Sequence, residues 1–239
     1  MSEYGESATT TAGSDRTPLS PTPRSTVTRS KERARTDRAD LDAVLDATFL
    51  CHLGVVLDGA PVVIPTIYGR DGDTLYLHGS TGAGNLRAAL TGPVSVAVTL
   101  VDGIVYARSA MHFSANYRSA VVHGRPVEVT DPQRRLHALR VITERAAPGA
   151  WPTVRPPHKK ELAATMVLAL DLTEASVKVR AGDPRDDAAD IAAGTAWAGV
   201  LPLHQVWGEP IPSADLAPGI EVPDHVRARA AETAEPALR

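Results

Sequence analysis

With 239 residues, a formal net charge of −3, 43% apolar and only 4% aromatic side chains, the chain can fill one good domain with additional segments, and its balanced charge offers no basic surface for nucleic acid. Cys51 is the only cysteine, which excludes an internal disulfide and leaves any zinc site to histidine and carboxylate; its ordinary place is as a small buried apolar side chain. No run of about 18 apolar residues is present to span a bilayer and no apolar leader core opens the chain, so a cytoplasmic protein without a membrane partner is expected.

Residues 1–37 are rich in Ser, Thr, Pro and charge and too poor in large apolar side chains to offset chain entropy, so a disordered tail is expected there. Leu41, Val44 and Leu45 then fall at helical spacing, and "FLCHLGVVL", "APVVIPTIYG" and "TLYLHG" follow as strands. Asp58-Gly59 and the "RDGD" at 70–73 join these strands as antiparallel hairpins. In "TLYLHGSTGAGNLRAAL" the third strand runs through small residues into a helix at about 84–90. "PVSVAVTLV" and "IVYARSAM" read as two strands across a tight turn at Asp102-Gly103, and a longer strand occupies 117–130.

A helix beginning at Pro132 takes Asp131 as its N-cap, and residues 148–158 form a proline-rich connection. "TMVLALDLTEASVKVR" is a last long strand, broken or bulged near Glu174, and an acidic helix follows Gly182. Hairpin-joined strands of this kind imply a mainly β fold of the α+β class, a small antiparallel barrel with flanking helices. The barrel is expected over 38–182, and a helix with a proline-rich arm packing on it over 183–239.

The strand-to-helix bend is the first chemical feature. Unpaired N–H groups and the positive end of a helix dipole make a seat for phosphate. G-A-G-N-L-R at 82–87 begins like a dinucleotide fingerprint, but Arg87 replaces the final small residue and no βαβ unit surrounds it. There is no H-E-x-x-H and no metal-ligand spacing, and H-G-S-T-G is not the G-x-S-x-G of a nucleophile elbow. Asp183, Asp186, Asp187 and Asp190 read as a solvated helix face, with no metal expected.

Three patterns carry a resemblance: D-G-x-P-x-x-I-P-x-x-Y-G at 58–69, L-Y-x-H-G-S at 75–80 and N-Y-R-S at 116–119. Over roughly 38–212 the chain resembles the pyridoxamine 5'-phosphate oxidase-like, flavin-nucleotide-binding superfamily, in the branch of the nitroimidazole-resistance proteins. The resemblance implies a split β-barrel of FMN-binding type that dimerises, with cofactor pockets at the dimer interface. It sets Ile64, Pro65, Thr66, Ile67 and Tyr68 along the isoalloxazine edge, chiefly through backbone groups. His78, Gly79, Ser80 and Thr81, running on to Asn85, would hold the ribityl chain and phosphate, and Ser119 would lie near the flavin.

Relatives usually carry Arg or Lys just before this helix, where the chain has Gly82, Ala83, Gly84 and Asn85. Arg87 one turn later, Arg70 and Arg118 are the substitute cations; without one, charge-assisted bonding to a phosphate is lost. FMN is therefore the expected cofactor, with haem, deazaflavin or none as alternatives. His78 and His112 are the candidate catalytic residues, and the candidate axial ligands if the group is haem. The expected activity is that of a homodimeric FMN-dependent oxidoreductase passing electrons from NADH or NADPH to a small substrate, nitro-containing or biosynthetic. The alternatives are a haem enzyme on the same barrel and a non-catalytic flavin-binding or cofactor-free module.

Overall fold

In a computed structural model the described residues are 18, 19 and 22–232. The first helix, α1 (Arg38–Asp46), is capped by Asp37, whose side chain accepts from the Ala39 N–H at 2.9 Å. It presses Leu41, Val44 and Leu45 into the barrel, each at most 2% exposed. Next come β2 (Leu50–Leu57) and β3 (Ala60–Asp71). Their turn places Asp58 at φ 52° and Gly59 at φ 78°, as a two-residue hairpin of the right twist demands.

β4 (Thr74–Ser80) leads into α2 (Gly84–Thr91) and then β5 (Val94–Tyr106). β6 (Ser114–Gly124), the short β7 (Val127–Glu128), α3 (Pro132–Ala146) and α4 (Lys159–Ala164) precede β8 (Thr165–Asp171) and β9 (Ala175–Arg180), which follow one another closely in the chain but pair with different strands, β8 with β4 and β9 with β6. The sheet is antiparallel, and with the N-terminal β1 (Ala34–Arg35) its order is β1-β9-β6-β5-β2-β3-β4-β8-β7. Beyond it lie α5 (Ala188–Ala193), β10 (Gly199–Pro202), which pairs with β5, and α6 (Asp224–Ala230). This is the antiparallel barrel with flanking helices that the patterning leads one to expect, of the split type that the resemblance implies.

β3 serves two parts of the sheet. Residues 60–67 pair with β2, and only from Tyr68 onward does the strand pair with β4. The outer edge of 60–67 therefore faces no strand, which is where Pro65 can sit without costing a ladder bond. On the far side of β4, α3 packs over a second core of Tyr76, Val129, Ala138, Ile142, Val167 and Ala169. That helix lies so close to β3 that a Cβ on Gly69 would stand 2.8 Å from the Ile142 backbone.

Three expectations change. Asp102-Gly103 is not a turn: β5 runs straight through it with a bulge between Val101 and Gly103. Asp102 is 6% exposed, its carboxylate held by Arg118, and a side chain at 103 would meet the Leu201 carbonyl of β10 at 2.8 Å. Tight-turn chemistry yields here to a buried ion pair and a neighbouring strand. Residues 22–37 are also not an unpacked tail. Although few of them are apolar, Thr22 donates to Glu174 at 2.5 Å, Arg24 grips the same carboxylate at 2.7 Å, and β1 pairs with β9. Leu19 joins the core at 6% exposure, while residues 1–17, 20 and 21 lie outside the described residues. Third, the expected strand over 117–130 is two, β6 and β7, and α4, β10 and α6 occupy stretches that carried no sequence expectation of their own.

Candidate functional site

The pleat of β4 divides its side chains between two environments. Leu75 and Leu77 face the barrel core, whereas Tyr76 joins the core under α3 and His78 shares that face by alternation. After Ser80 the chain winds tightly: Thr81 N–H donates to the Ala164 carbonyl at 3.0 Å, Gly82 N–H to Ser80 Oγ at 3.1 Å, and Ala83 N–H to the Ser80 carbonyl at 2.9 Å. The α2 N-cap is Ala83, which has no side-chain cap to offer. The N–H groups of Gly84, Asn85 and Leu86 consequently carry no hydrogen bond among the described residues. A Cβ at Gly84 would meet nothing within 4 Å, so the space beside the helix start is open, and its N–H groups fit an anionic oxygen group.

Of the proposed cations only Arg87 returns to the bend, its Nη1 donating to the Thr81 carbonyl at 3.3 Å. Arg70 is engaged elsewhere, with Asp46 at 3.0 Å and the Gly72 carbonyl at 2.9 Å. Arg118 is engaged with Asp102 at 2.8 Å, and Ser119 Oγ reaches the Lys178 carbonyl at 3.5 Å. Neither Arg118 nor Ser119 bonds to the bend among the described residues. On β3, Pro65 and Ile67 are exposed while Ile64 and Thr66 are partly buried. Tyr68 is instead a core residue: its ring is fully buried and its hydroxyl donates to the Leu45 carbonyl at 2.5 Å. Gly79 likewise turns inward, against Leu86.

His78 lines a cleft of about 440 Å³ that also involves Leu139 and Thr143 of α3, Trp151 and Val154 of the connection, and Leu162 of α4. Its Nδ1 is sealed from solvent with no hydrogen-bond partner. Burial lowers the proton affinity of the ring, so it stays neutral and able to donate a lone pair. At the rim, Arg155 and the His158 N–H hold the Glu161 carboxyl down at about 2. A planar, largely apolar group with a position for an imidazole donor fits this lining. The wall residues come from α3, α4 and the connection between them, none of which carries a motif, and only the His78 pattern pointed toward the cleft.

His112 stands elsewhere, in a single helical turn (Ala110–His112) between β5 and β6. It lies beside the acidic segment, with Nδ1 3.7 Å from Asp186. The sequence shows no metal-ligand spacing, yet the fold brings His112, Asp187 and Asp190 together, one ligand atom of each within 4.8 Å of the others. A separation of some 75 residues in sequence hid the grouping from any spacing rule. Cys51 is fully buried, and desolvation pushes its thiol up to about 12, which removes it from thiolate chemistry.

The family model for pyridoxamine 5'-phosphate oxidase matches residues 37–179. The flavocytochrome Anf3 from Azotobacter vinelandii is 38% identical, with a TM-score of 0.84 over 89% of this chain and 99% of that one. The FAD and heme binding protein from Mycobacterium smegmatis is 42% identical, with a TM-score of 0.79 over 82% and 97% of the two chains. A 5-nitroimidazole antibiotic resistance protein from Bacteroides thetaiotaomicron shares the fold at 21% identity and TM-score 0.51, over 61% and 86%. No curated protein matches the chain. No described helix is long and apolar enough to cross a membrane.

Proposed function

The chain belongs to the pyridoxamine 5'-phosphate oxidase family, and from that premise we propose that it is a flavin-dependent oxidoreductase working as a homodimer. The observation that carries the reading is the uncapped start of α2, where the N–H groups of Gly84, Asn85 and Leu86 wait for an anion. They suit the phosphate of FMN, or the corresponding phosphate of the FAD for which one relative is named. Bound there, a flavin supplies the electron transfer to a small substrate, with NADH or NADPH as donor. The chain's own contribution is positional: Ser80 and Thr81 frame the bend, and the unpaired edge of residues 60–67 offers backbone groups to a planar ring.

A second copy completes this arrangement. The outer face of β2 and β3 leaves Leu50, Val56, Val63 and Ile67 between 36% and 65% exposed, an apolar patch of the kind that marks an interface. Arg118 and Ser119, which do not reach their own bend, would then serve the partner's.

A second reading concerns haem, supported by the unpartnered Nδ1 of His78 in its apolar cleft and by relatives named as a flavocytochrome and as a FAD and heme binding protein. His78 would be the axial ligand, with Leu139, Val154 and Leu162 excluding water. Absorption spectra of the purified protein, before and after addition of FMN, FAD or haemin and removal of unbound ligand, test both readings. Retained flavin bands are expected, together with a Soret band that His78→Ala abolishes. A colourless protein after every addition would overturn both.

A further inference from the structure

We infer that His112, Asp187 and Asp190 form a divalent transition-metal site that fastens the acidic C-terminal segment to the barrel. None of the three residues lines the His78 cleft or belongs to the bend before α2, and the inference does not depend on either cofactor reading. Three kinds of observation converge: the donor set, its charge and its support.

The donors come from two distant parts of the chain. Asp187 is the residue preceding α5 and Asp190 lies in its first turn, so both carboxylates stand at the start of that helix; His112 reaches them from the turn between β5 and β6. One ligand atom from each lies within 4.8 Å of the others. Bonds of about 2.1 Å in a tetrahedral site space ligands by roughly 3.4 Å, so the donors need draw in by no more than about 1.4 Å to close around an ion. One imidazole with two carboxylates is the donor mixture of zinc and its neighbours, not the all-oxygen shell that calcium or magnesium takes. Three protein donors leave at least one position for water.

Charge favours a cation. Among the described residues, Asp187 and Asp190 take part in no ion pair with Lys or Arg, so two negative charges face one imidazole. Asp186, by contrast, is already satisfied: Arg108 donates to it from its backbone N–H at 2.9 Å and from its guanidinium at 2.8 Å. That carboxylate is 1% exposed and sits 3.7 Å from His112 Nδ1, while Nδ1 itself is sealed from water without a hydrogen bond. A fixed carboxylate behind one ring nitrogen is the outer support that orients a metal-bound histidine.

The consequence is structural. Phe113, the next residue, packs edge-on to Tyr106 at 5.5 Å, and Tyr106 in turn meets Trp197 beyond α5 at 5.7 Å. An ion at His112 would therefore lock the same junction that these rings hold by packing.

Equilibrium dialysis of the tag-free, chelator-treated full-length protein against micromolar ZnCl₂, read by elemental analysis, tests the site. One zinc per chain is expected, with affinity at least tenfold weaker in His112→Ala and in Asp190→Asn. Asp186→Asn, which removes no ligand, is expected to weaken binding about 10- to 100-fold, and Asp183→Asn to leave it unchanged. Circular dichroism confirms that each variant is folded. Uptake of less than a tenth of an equivalent by the wild type, or full uptake by both folded ligand variants, would overturn the assignment.

Discussion

The Arg118 guanidinium closes on the Asp102 carboxylate at 2.8 Å, and the pair sits at the one irregularity of β5, where a bulge lets Asp102 turn inward. Both side chains are largely withdrawn from solvent, at 22% and 7% exposure. Breaking a largely buried pair of this kind by removing one carboxylate typically costs about 3 kcal/mol. Asp102→Ala is accordingly expected to lower stability by about that much in urea unfolding. A loss below about 0.5 kcal/mol would mean that water replaces the carboxylate freely.

This pair also marks where sequence reasoning stopped. Asp-Gly at 58–59 and at 102–103 look alike locally, and only the first makes a turn. What separates them is an arginine on the neighbouring strand and the approach of β10, neither visible in a local window. Helix α1, β2 to β4 and α3 were legible because their apolar spacing and caps agree with their burial. The bend before α2 was legible too, since glycines and small hydroxyls there have no other local use. The His78 cleft was not, because its walls are assembled from α3, α4 and a proline-rich connection.

The bend can be tested by charge alone. Gly84 has open space where a Cβ would go, so Gly84→Asp introduces a carboxylate beside the proposed phosphate seat without a steric clash. A loss of about tenfold or more in FMN or FAD affinity is expected, and Asn85→Lys is expected to raise affinity by a similar factor. Flavin fluorescence titration reads both. Unchanged affinity in the two variants would move the phosphate away from α2.

The N-terminal strap is tied down at Glu174 as well as by Leu19 and β1. Arg24, and then Thr22, hold the Glu174 carboxyl down at about 2, well below its ordinary 4.5. Because the folded state holds the proton less tightly than the unfolded chain, this contribution is present above about 4.5 and fades as pH falls towards 2. At neutral pH, Glu174→Gln should release the strap and speed tryptic cleavage after Arg24 and Arg29 several-fold. An unchanged cleavage rate would assign the anchoring to Leu19 and β1 instead.

His78 makes the opposite chemical choice, with the same direction in pH. Burial lowers its pKa below the ordinary 6.5, so in acid the unfolded chain binds a proton that the folded one refuses. Stability contributed this way is present above about 6.5 and declines as pH falls through the folded-state value. His123 is shifted in the same sense, first by burial and then by Arg24, so His78→Gln should make the decline below its ordinary 6.5 shallower without abolishing it. Urea midpoints measured through that decline provide the check. Identical slopes in wild type and variant would mean that water reaches the His78 ring, and the cleft would then lose the neutral imidazole on which its haem reading depends.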